Sequence, residues 1–238
     1  MTGHETDEAA EEAAEEAAHR EFLRLLGGLR IWNHPLPGFD PVGLPAEPVS
    51  LFRTWLTEAA AAGCPEPHCL ALTTADTEGR PSARMMTLAD ADARGWHFAS
   101  LETSRKGQEL DGRRHAALLA YWPVHGRQVR IRGPVTLADA AAGAADLAGR
   151  SPGARAAALA GRQSEVLARR EDLAAAYGTA RGALADDPRT PVPAWRRYLL
   201  EPDEVEFFQG AADRRHIRVR YRRTGGARPQ WTQELLWP

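Results

Sequence analysis

The sequence predicts an antiparallel β-barrel with attached helices, a mainly β fold of the α+β class. Short apolar or alternating runs follow one another between turn residues from residue 70 onwards, which is typical of antiparallel strands. The helical patterns precede this block or interrupt it once, so they do not alternate with single strands as in a βαβ fold. The chain also lacks the G-x-G-x-x-G and G-x-x-x-x-G-K-[ST] patterns, which argues against dinucleotide-binding and P-loop folds.

The first 47 residues carry two patterns that are unlike a packed domain. Seven acidic residues and no basic residue stand between Glu5 and Glu16, in an alanine-rich stretch without an apolar stripe, so we expect a mobile arm. Residues 33–48 are rich in proline and glycine and predict an extended connector. We therefore expect residues 1–47 to form this arm and connector, and residues 48–238 to form a single domain.

A helix is predicted at the start of that domain, and strands follow it. From Pro48 to Ala62 apolar residues recur at helical spacing, with Phe52, Trp55 and Ala59 on one face. The patterns then predict these elements in order: strands at 70–74, 82–88 and 96–100, a short helix at 104–113, strands at 116–122 and 128–135, a helical insertion at about 138–181, and β segments at 198–208, 216–223 and near 231–236.

The charge balance and the cysteine count exclude several classes of function. The formal net charge is −2, so no general attraction to nucleic acid or to an anionic membrane is expected. We see neither an apolar run of about 18 residues nor an apolar leader, and we expect a cytoplasmic protein. Cys64, His68 and Cys69 have no second ligand pair downstream, so we predict no metal site.

A phosphate site is predicted where a strand leads into the short helix. Ser104 is a good helix N-cap, and the first-turn amides and the helix dipole attract an anion there. Arg105 and Lys106 add two positive charges, and Arg84 on the adjacent hairpin could supply a third. Lys106 is the single lysine among 30 basic residues, which indicates a role that arginine cannot fill. The alternative is a solvated basic turn whose lysine survived by chance.

Three further clusters give weaker signals. Gln128 follows Arg127 into a strand, and a glutamine can read a ring edge that offers both C=O and N–H groups, although most such side chains are merely solvated. Gln163 and Ser164 have the same versatility, or else they cap a helix. Arginines at positions 214, 215 and 218 surround His216 at a strand start, where they line a pocket for an acidic substrate or protect an exposed edge strand.

In their order along the chain these clusters resemble the pyridoxamine 5'-phosphate oxidase family. The resemblance runs from about Phe52 to Pro238, and it depends on shared order and spacing, because no single motif is decisive. It is carried by Arg84, Ser104-Arg105-Lys106, Arg127-Gln128, Gln163-Ser164, the run from Glu206 to Gly210 and Arg214-x-His216-x-Arg218, with a weaker echo in Arg20-Glu21-Phe22 and in Gly27 to Arg30.

The resemblance implies an FMN-binding split β-barrel that works as a homodimer with flavin sites at the interface. It implies an oxidase that takes a hydride from a small substrate to FMN and passes the electrons to O2. Arg214 and His216 would bind and orient the substrate as the catalytic pair. The cofactor-binding residues would be Arg84, Met85, Ser100, Arg105, Lys106, Gln128, Phe208 and Arg218, with Gln163 and Ser164 supplied by the partner subunit.

The residues that would hold a substrate phosphate depart from the family pattern. By the resemblance they are a lysine, a tyrosine, an arginine and a serine, whose places are taken here by Ala89, Asp146, Arg150 and Ala154. Each lost charge-assisted contact weakens phosphate binding, and Asp146 is expected to repel a phosphate. We therefore expect a specialised substrate, which Arg150 would bind. The phenazine-pathway flavin oxidases are a related branch with substrates of that kind. The alternatives are a genuine pyridoxine/pyridoxamine 5'-phosphate oxidase and a flavin- or haem-binding barrel without turnover.

Overall fold

The computed structural model describes residues 2–225 and 230–238, with side chains from residue 10 onwards. Met1 of the predicted arm and the side chains up to residue 9 lie outside the described part. The chain divides into two compact units, one ending at Pro35 and the other spanning Leu36–Pro238. The first unit contains helix α1, Thr2–Gly28, whose described side chains are all exposed. The mobility of the arm stays a prediction.

The second unit is built on a curled antiparallel sheet with attached helices, which confirms the predicted fold class. Its strands are β1 Cys69–Ala75, β2 Pro81–Thr87, β3 Asp90–Ala91, β4 Trp96–Leu101, β5 His115–Trp122, β6 Arg127–Leu137, β7 Trp195–Leu200, β8 Glu204–Gln209, β9 Ile217–Thr224 and β10 Gln230–Leu236. They pair in the order β10-β9-β8-β6-β5-β1-β2, while β7 links β4 to β6 and β3 pairs with β4. This pairing bends the sheet into an open barrel.

Helices flank and interrupt the sheet of the second unit. They are α2 Pro48–Ala61, α3 Arg105–Gly112, α4 Ala140–Ala148, α5 Pro152–Ala160 and α6 Arg170–Asp186. Helices α4 to α6 occupy the position of the predicted helical insertion, and α3 begins directly after its predicted N-cap. Within the described ranges, none of the helices combines the length and the apolarity needed to cross a membrane.

Helix α2 is fixed to the sheet by buried aromatic rings, as its predicted apolar face requires. Phe52 packs edge-on against Trp96, with ring centroids 5.3 Å apart. Trp55 packs in the same way against Phe207 at 5.2 Å. Phe39, from the proline- and glycine-rich connector, adds a third edge-on contact to Trp55 at 5.0 Å. The connector therefore contributes to the core next to α2.

Strand β6 is the place where the sheet splits. One edge of β6 pairs with β5, while the opposite edge pairs with β8 at residues 127–132 and with β7 at residues 135–137. Gly133 lies between these two regions. The crossing chain passes so close that a Cβ on Gly133 would lie 2.2 Å from the carbonyl oxygen of Glu201. Because glycine has no side chain, one strand can belong to both sides of the barrel.

The predicted β segment at 198–208 is wrong as a single strand, because the structure divides it into β7 and β8. Strand β7 pairs with β4 and the end of β6, whereas β8 pairs with the beginning of β6 and with β9. The chain therefore changes partners at Pro202, which has no N–H to donate. The alternation pattern also does not predict β3, whose two residues are too few to alternate.

Replacing Gly133 with alanine is expected to destabilise the fold by about 1–3 kcal/mol, since the added methyl group collides with backbone and not with a flexible side chain. The measurement is the free energy of unfolding in urea at fixed protein concentration. Gly182→Ala is the matched control, because Gly182 is an exposed residue of α6 whose added Cβ would meet nothing within 4 Å. We expect this control to be neutral or slightly stabilising. Equal effects of both substitutions would contradict the role given to Gly133.

Candidate functional site

The turn between β4 and α3 carries the residues of the predicted phosphate site. Ser104 is the N-cap of α3, as predicted, and its Oγ accepts a hydrogen bond from the Gly107 N–H at 3.3 Å. Gly107 packs directly against the preceding turn, since a Cβ there would lie 2.3 Å from the Glu102 carbonyl oxygen. This close packing fixes the direction in which the helix begins.

A buried carboxylate holds two of the predicted cations together. Glu109 is 5% exposed and lies 3.2 Å from Arg84 Nη2 and 2.8 Å from Arg105 Nε. It also accepts hydrogen bonds from the hydroxyls of Thr74 at 2.5 Å and Ser82 at 2.8 Å. Burial raises the pKa of Glu109, but these hydrogen bonds outweigh burial and lower the pKa to about 2. The ionised carboxylate therefore offsets the repulsion between the two arginines.

Glu109 is a residue that the sequence analysis missed. The available signal was its position four residues after Arg105, a spacing at which opposite charges meet on a helix. That spacing alone indicates only a surface pair. The contact with Arg84 depends on the packing of α3 against strands β1 and β2, which the local sequence does not specify.

Lys106 is buried at the same helix start. Its Nζ donates to Gln163 Oε1 at 3.2 Å and to Ser104 Oγ at 3.4 Å, both neutral oxygens. Burial lowers the pKa of Lys106 to about 8, with a further lowering by Arg84 that Glu109 opposes. An anion bound beside the amine would favour its charged form and raise that pKa again.

The loop after α5 brings Gln163 and Ser164 to this helix start. Ser164 Oγ accepts a hydrogen bond from the Arg105 N–H at 3.2 Å, next to the contact between Gln163 and Lys106. The resemblance assigns Gln163 and Ser164 to the flavin of the partner subunit. In the structure the two side chains contact Arg105 and Lys106 of their own chain, and the assignment to the partner's flavin stays a prediction. Arg162 and Ser164 adopt φ angles of 56° and 80°, in the strained left-handed region. This backbone conformation directs the side chains of Gln163 and Ser164 towards the start of α3.

A cavity of about 200 Å³ opens beside Lys106. It brings together five of the residues predicted to bind cofactor or substrate with four others. Its lining consists of Met85, Ser100, Lys106, Arg150 and Gln163, with Met86, Thr87, Ala99 and Trp195. Arg84 and Arg105 are not part of this lining, and they meet at Glu109 on the same helix as Lys106.

A second pocket, of about 350 Å³, collects three other predicted cofactor residues on the sheet formed by β6, β8 and β9. It is lined by Gln128, Phe208 and Arg218, with Leu119, Arg130, Glu206 and Pro238. Arg218 is oriented by two hydrogen bonds, from Nε to Glu206 Oε1 at 2.8 Å and from Nη1 to the Trp237 carbonyl oxygen at 2.8 Å. The predicted cofactor residues thus form two separate groups within one chain.

The predicted catalytic pair lies beside the second pocket. The ring of His216 packs against Phe208 with centroids 5.0 Å apart, and its Nδ1 accepts a hydrogen bond from the Ala211 N–H at 3.0 Å. In a neutral imidazole this contact places the proton on Nε2. Arg214 has a φ of 67°, so the turn before β9 carries backbone strain next to the histidine.

The structure changes the expectation for Asp146. Its carboxylate does not stand alone, because Oδ2 accepts a hydrogen bond from Arg150 Nε at 2.7 Å. Of the other two altered positions, Ala89 is exposed, and Ala154 lies in the first turn of α5, where its N–H donates to Ser151 Oγ. Asp146 is therefore paired with the retained arginine and is not a free negative charge.

The fold and the pockets define a protein of the split-barrel class known from FMN-binding proteins. Residues 56–182 match the family described as pyridoxamine 5'-phosphate oxidase. Residues 195–238 match the region described as the pyridoxine 5'-phosphate oxidase C-terminal dimerisation region, which supports a homodimer. The chain belongs to the pyridoxamine 5'-phosphate oxidase family, a family of oxidoreductases, as the sequence analysis predicts.

Named relatives cover most of the chain. A pyridoxine/pyridoxamine 5'-phosphate oxidase from Salinibacter ruber is 41% identical over 193 residues, which are 81% of this chain and 89% of the relative. The crystal structure of PhzG from Burkholderia lata 383, in complex with tetrahydrophenazine-1-carboxylic acid, has a TM-score of 0.80 and 35% identity, covering 86% of this chain and all of that one. An FMN-binding protein from Nostoc punctiforme, at a TM-score of 0.61 and 22% identity over 79% of this chain and 97% of its own, shows the fold alone.

Replacing Glu109 with glutamine is expected to lower the free energy of unfolding at pH 7 by roughly 2–3 kcal/mol, since Arg84 and Arg105 lose their shared carboxylate. The pKa of about 2 lies below the ordinary value of 4.5, so the native protein loses this contribution as the pH falls from about 5 towards 2. Urea unfolding at pH 7 and pH 3 measures both effects. Glu102→Gln is the control, because Glu102 is 41% exposed and pairs with Arg196 at the surface. A Glu109→Gln effect that is the same at both pH values would contradict the assignment.

Proposed function

We propose that this chain is an FMN-dependent oxidase that acts on a small reduced substrate, at a C–N bond or within a ring. The observation that carries the proposal is the cationic start of helix α3. Arg84, Arg105 and Lys106 meet there with one carboxylate, Glu109. Three positive charges and one negative charge leave a net charge of +2. This balances the charge of a phosphate monoester, which is about −2 at neutral pH.

The donors at this helix start fit the phosphate end of FMN. The Lys106 amine and the Arg105 N–H now donate to uncharged oxygens of Ser104, Gln163 and Ser164 at 3.2–3.4 Å. Phosphate oxygens can take the same donors, and hydrogen bonds to a charged acceptor are roughly twice as strong as those to a neutral one. The residue types and the charge therefore match the group that the family implies.

The two pockets support a flavin site that is completed across a dimer. Cavities of about 200 and 350 Å³ are each at or below the low end of the volumes of ligand sites. Phe208, Arg218 and Pro238 of the second pocket lie in the segment that matches the dimerisation region. We propose that this pocket faces the Lys106 cavity of the partner subunit. Gln163 and Ser164 then serve the flavin phosphate of their own chain.

Bound FMN would supply the redox chemistry, by accepting a hydride and passing the electrons to O2. The residues of the chain position the substrate. His216 holds its proton on Nε2 in the neutral form and can donate it to an acceptor on the substrate. Phe208 supplies an apolar wall next to His216. Arg214 lies in the strained turn before β9 and would orient an acidic group of the substrate.

A substrate without a phosphate fits the altered positions best. Ala89 and Ala154 offer no charged contact, and Arg150 is paired with Asp146. The structure of PhzG, 35% identical, was solved with a ligand that carries a carboxylate and no phosphate, which supports the same reading. Use of O2 and a cytoplasmic location are part of this proposal.

A pyridoxine/pyridoxamine 5'-phosphate oxidase is the second candidate. It is favoured by the names of relatives that are 41% and 39% identical to this chain over 81% and 87% of its length. In that case another arginine, such as Arg155, which in the structure donates to the Pro188 carbonyl oxygen, would have to replace the lost phosphate contacts.

Lys106→Met is expected to weaken FMN binding by about 1–3 kcal/mol, as the loss of one charge-assisted contact. For the unmodified protein the affinity should fall as the pH rises above about 8, because the amine loses its proton there when FMN is absent. Fluorescence titration with FMN and FAD between pH 7 and pH 9.5 measures both effects. Lys106→Arg keeps its charge over this range and should give a flatter profile. An unchanged FMN affinity in Lys106→Met, or a preference for FAD over FMN, would contradict the proposal that the FMN phosphate binds beside Lys106.

The substrate is tested by incubating the FMN-loaded protein with pyridoxine 5'-phosphate and O2 and following peroxide. We expect poor turnover with a high KM. The double variant Ala89→Lys and Asp146→Tyr should lower KM by roughly tenfold or more and change kcat less, since a phosphate remote from the reacting carbon binds ground and transition states alike. Ala61→Lys, which adds one positive charge on the exposed end of α2, is the control for the charge that Ala89→Lys adds. A micromolar KM in the unmodified protein would favour the second candidate.

A further inference from the structure

The cavity beside Lys106 has two walls with different charge. One wall is the helix start, where Lys106 faces the cavity and its neighbours Arg84 and Arg105 share the single carboxylate of Glu109. The other wall is formed by Arg150 and Trp195, and there the charge of Arg150 is matched by Asp146. The first wall therefore keeps an excess of positive charge, while the second is neutral.

Asp146 makes three hydrogen bonds that hold this second wall in place. Oδ2 accepts from Arg150 Nε at 2.7 Å, and Oδ1 accepts from Arg150 Nη2 at 3.3 Å, so the pair is bidentate. Oδ2 also accepts from Trp195 Nε1 at 2.9 Å. The side chain of Asp146 is only 8% exposed, against 23% for Arg150. Asp146 therefore lies behind the wall, and Arg150 and Trp195 face the cavity.

The arginine and the indole also contact each other. The guanidinium carbon of Arg150 lies 4.9 Å from the centroid of the Trp195 ring, within the range of a cation–π contact. The guanidinium is thus held by the carboxylate on one edge and by the indole at its face. It has little freedom to turn towards a phosphate elsewhere in the cavity.

We propose that Asp146 is a specificity-determining positioning residue that cancels the charge of Arg150 and clamps it against Trp195. This inference rests on the proposed function and names its substrate class. The substrate wall then selects a planar ring that carries no phosphate. A phosphate dianion would meet a neutral ion pair and would have to compete with Asp146 for the guanidinium. A planar ring that is uncharged or carries one carboxylate can lie against the indole and use the remaining edge of the guanidinium.

The test compares two unreactive ligands that differ only in a phosphate, 4-deoxypyridoxine 5'-phosphate and 4-deoxypyridoxine. Each is titrated calorimetrically into the FMN-saturated, full-length protein. Asp146→Asn keeps an acceptor for Trp195 and removes the negative charge. It should bind the phosphorylated ligand roughly 10-fold more tightly than the unmodified protein, as expected for one recovered charge-assisted contact. Its affinity for the ligand without phosphate should stay within about twofold, since Arg150 makes no new contact with that ligand.

Asp172→Asn is the matched control, because it removes one carboxylate from a surface pair with Arg169 and leaves Asp146, Arg150 and Trp195 intact. It should bind the phosphorylated ligand as weakly as the unmodified protein does. Equal changes for both ligands in Asp146→Asn, or no gain for the phosphorylated one, would overturn the inference. FMN affinity is measured for each variant as a check on folding. If the unmodified protein fails to bind FMN, the proposed function fails, and the same titrations of the flavin-free protein still report on Arg150.

Discussion

The carboxylate of Glu109 is the interaction on which the candidate site depends. It connects helix α3 to β1 through Thr74 and to β2 through Ser82 and Arg84, and it pairs with Arg105 one turn away on its own helix. Without this buried negative charge, the two arginines and the buried Lys106 would repel one another with no carboxylate to offset them. With it, the fold can keep an excess of positive charge at a helix N-terminus, which is the physical requirement for holding a phosphate.

The two sides of the cavity differ in net charge, because the arginine on the side opposite Lys106 is neutralised. At the helix start one carboxylate pairs with two arginines, whereas Lys106 donates to neutral oxygens. Burial and Arg84 lower the pKa of Lys106 to about 8, and Glu109 partly opposes this lowering. At the wall formed by Arg150 and Trp195 one carboxylate serves one arginine. An anion-binding region and a neutral, aromatic region thus lie within one small volume. This contrast is the physical basis of our proposal that one site holds a phosphorylated cofactor and prefers a substrate of lower charge.

Much of the site could be predicted from the sequence, because the relevant signals are local. Ser104 as a helix cap and Lys106 as the single lysine are visible in one turn of the chain. The pairing of Asp146 with Arg150 has a local spacing too, but its meaning depends on Trp195, which is 49 residues from Asp146. The grouping of Gln163 with Lys106, 57 residues apart, likewise depends on how the loop after α5 folds back. The resemblance assigns Gln163 to the partner's flavin, whereas the fold shows which residue of its own chain it contacts.

The sequence by itself determined the antiparallel barrel, the helix positions and the identity of the cationic residues, because periodicity, turns and caps act over a few residues. Only the tertiary structure decided where the segment at 198–208 breaks, since Pro202 and the close approach at Gly133 make the chain change sheets there. It also decided which cations are neutralised. Glu109 and Asp146 are both carboxylates, but they have different consequences. Glu109 pairs with two arginines, because packing brings Arg84 from a distant part of the chain to 3.2 Å, whereas Asp146 pairs with one, Arg150.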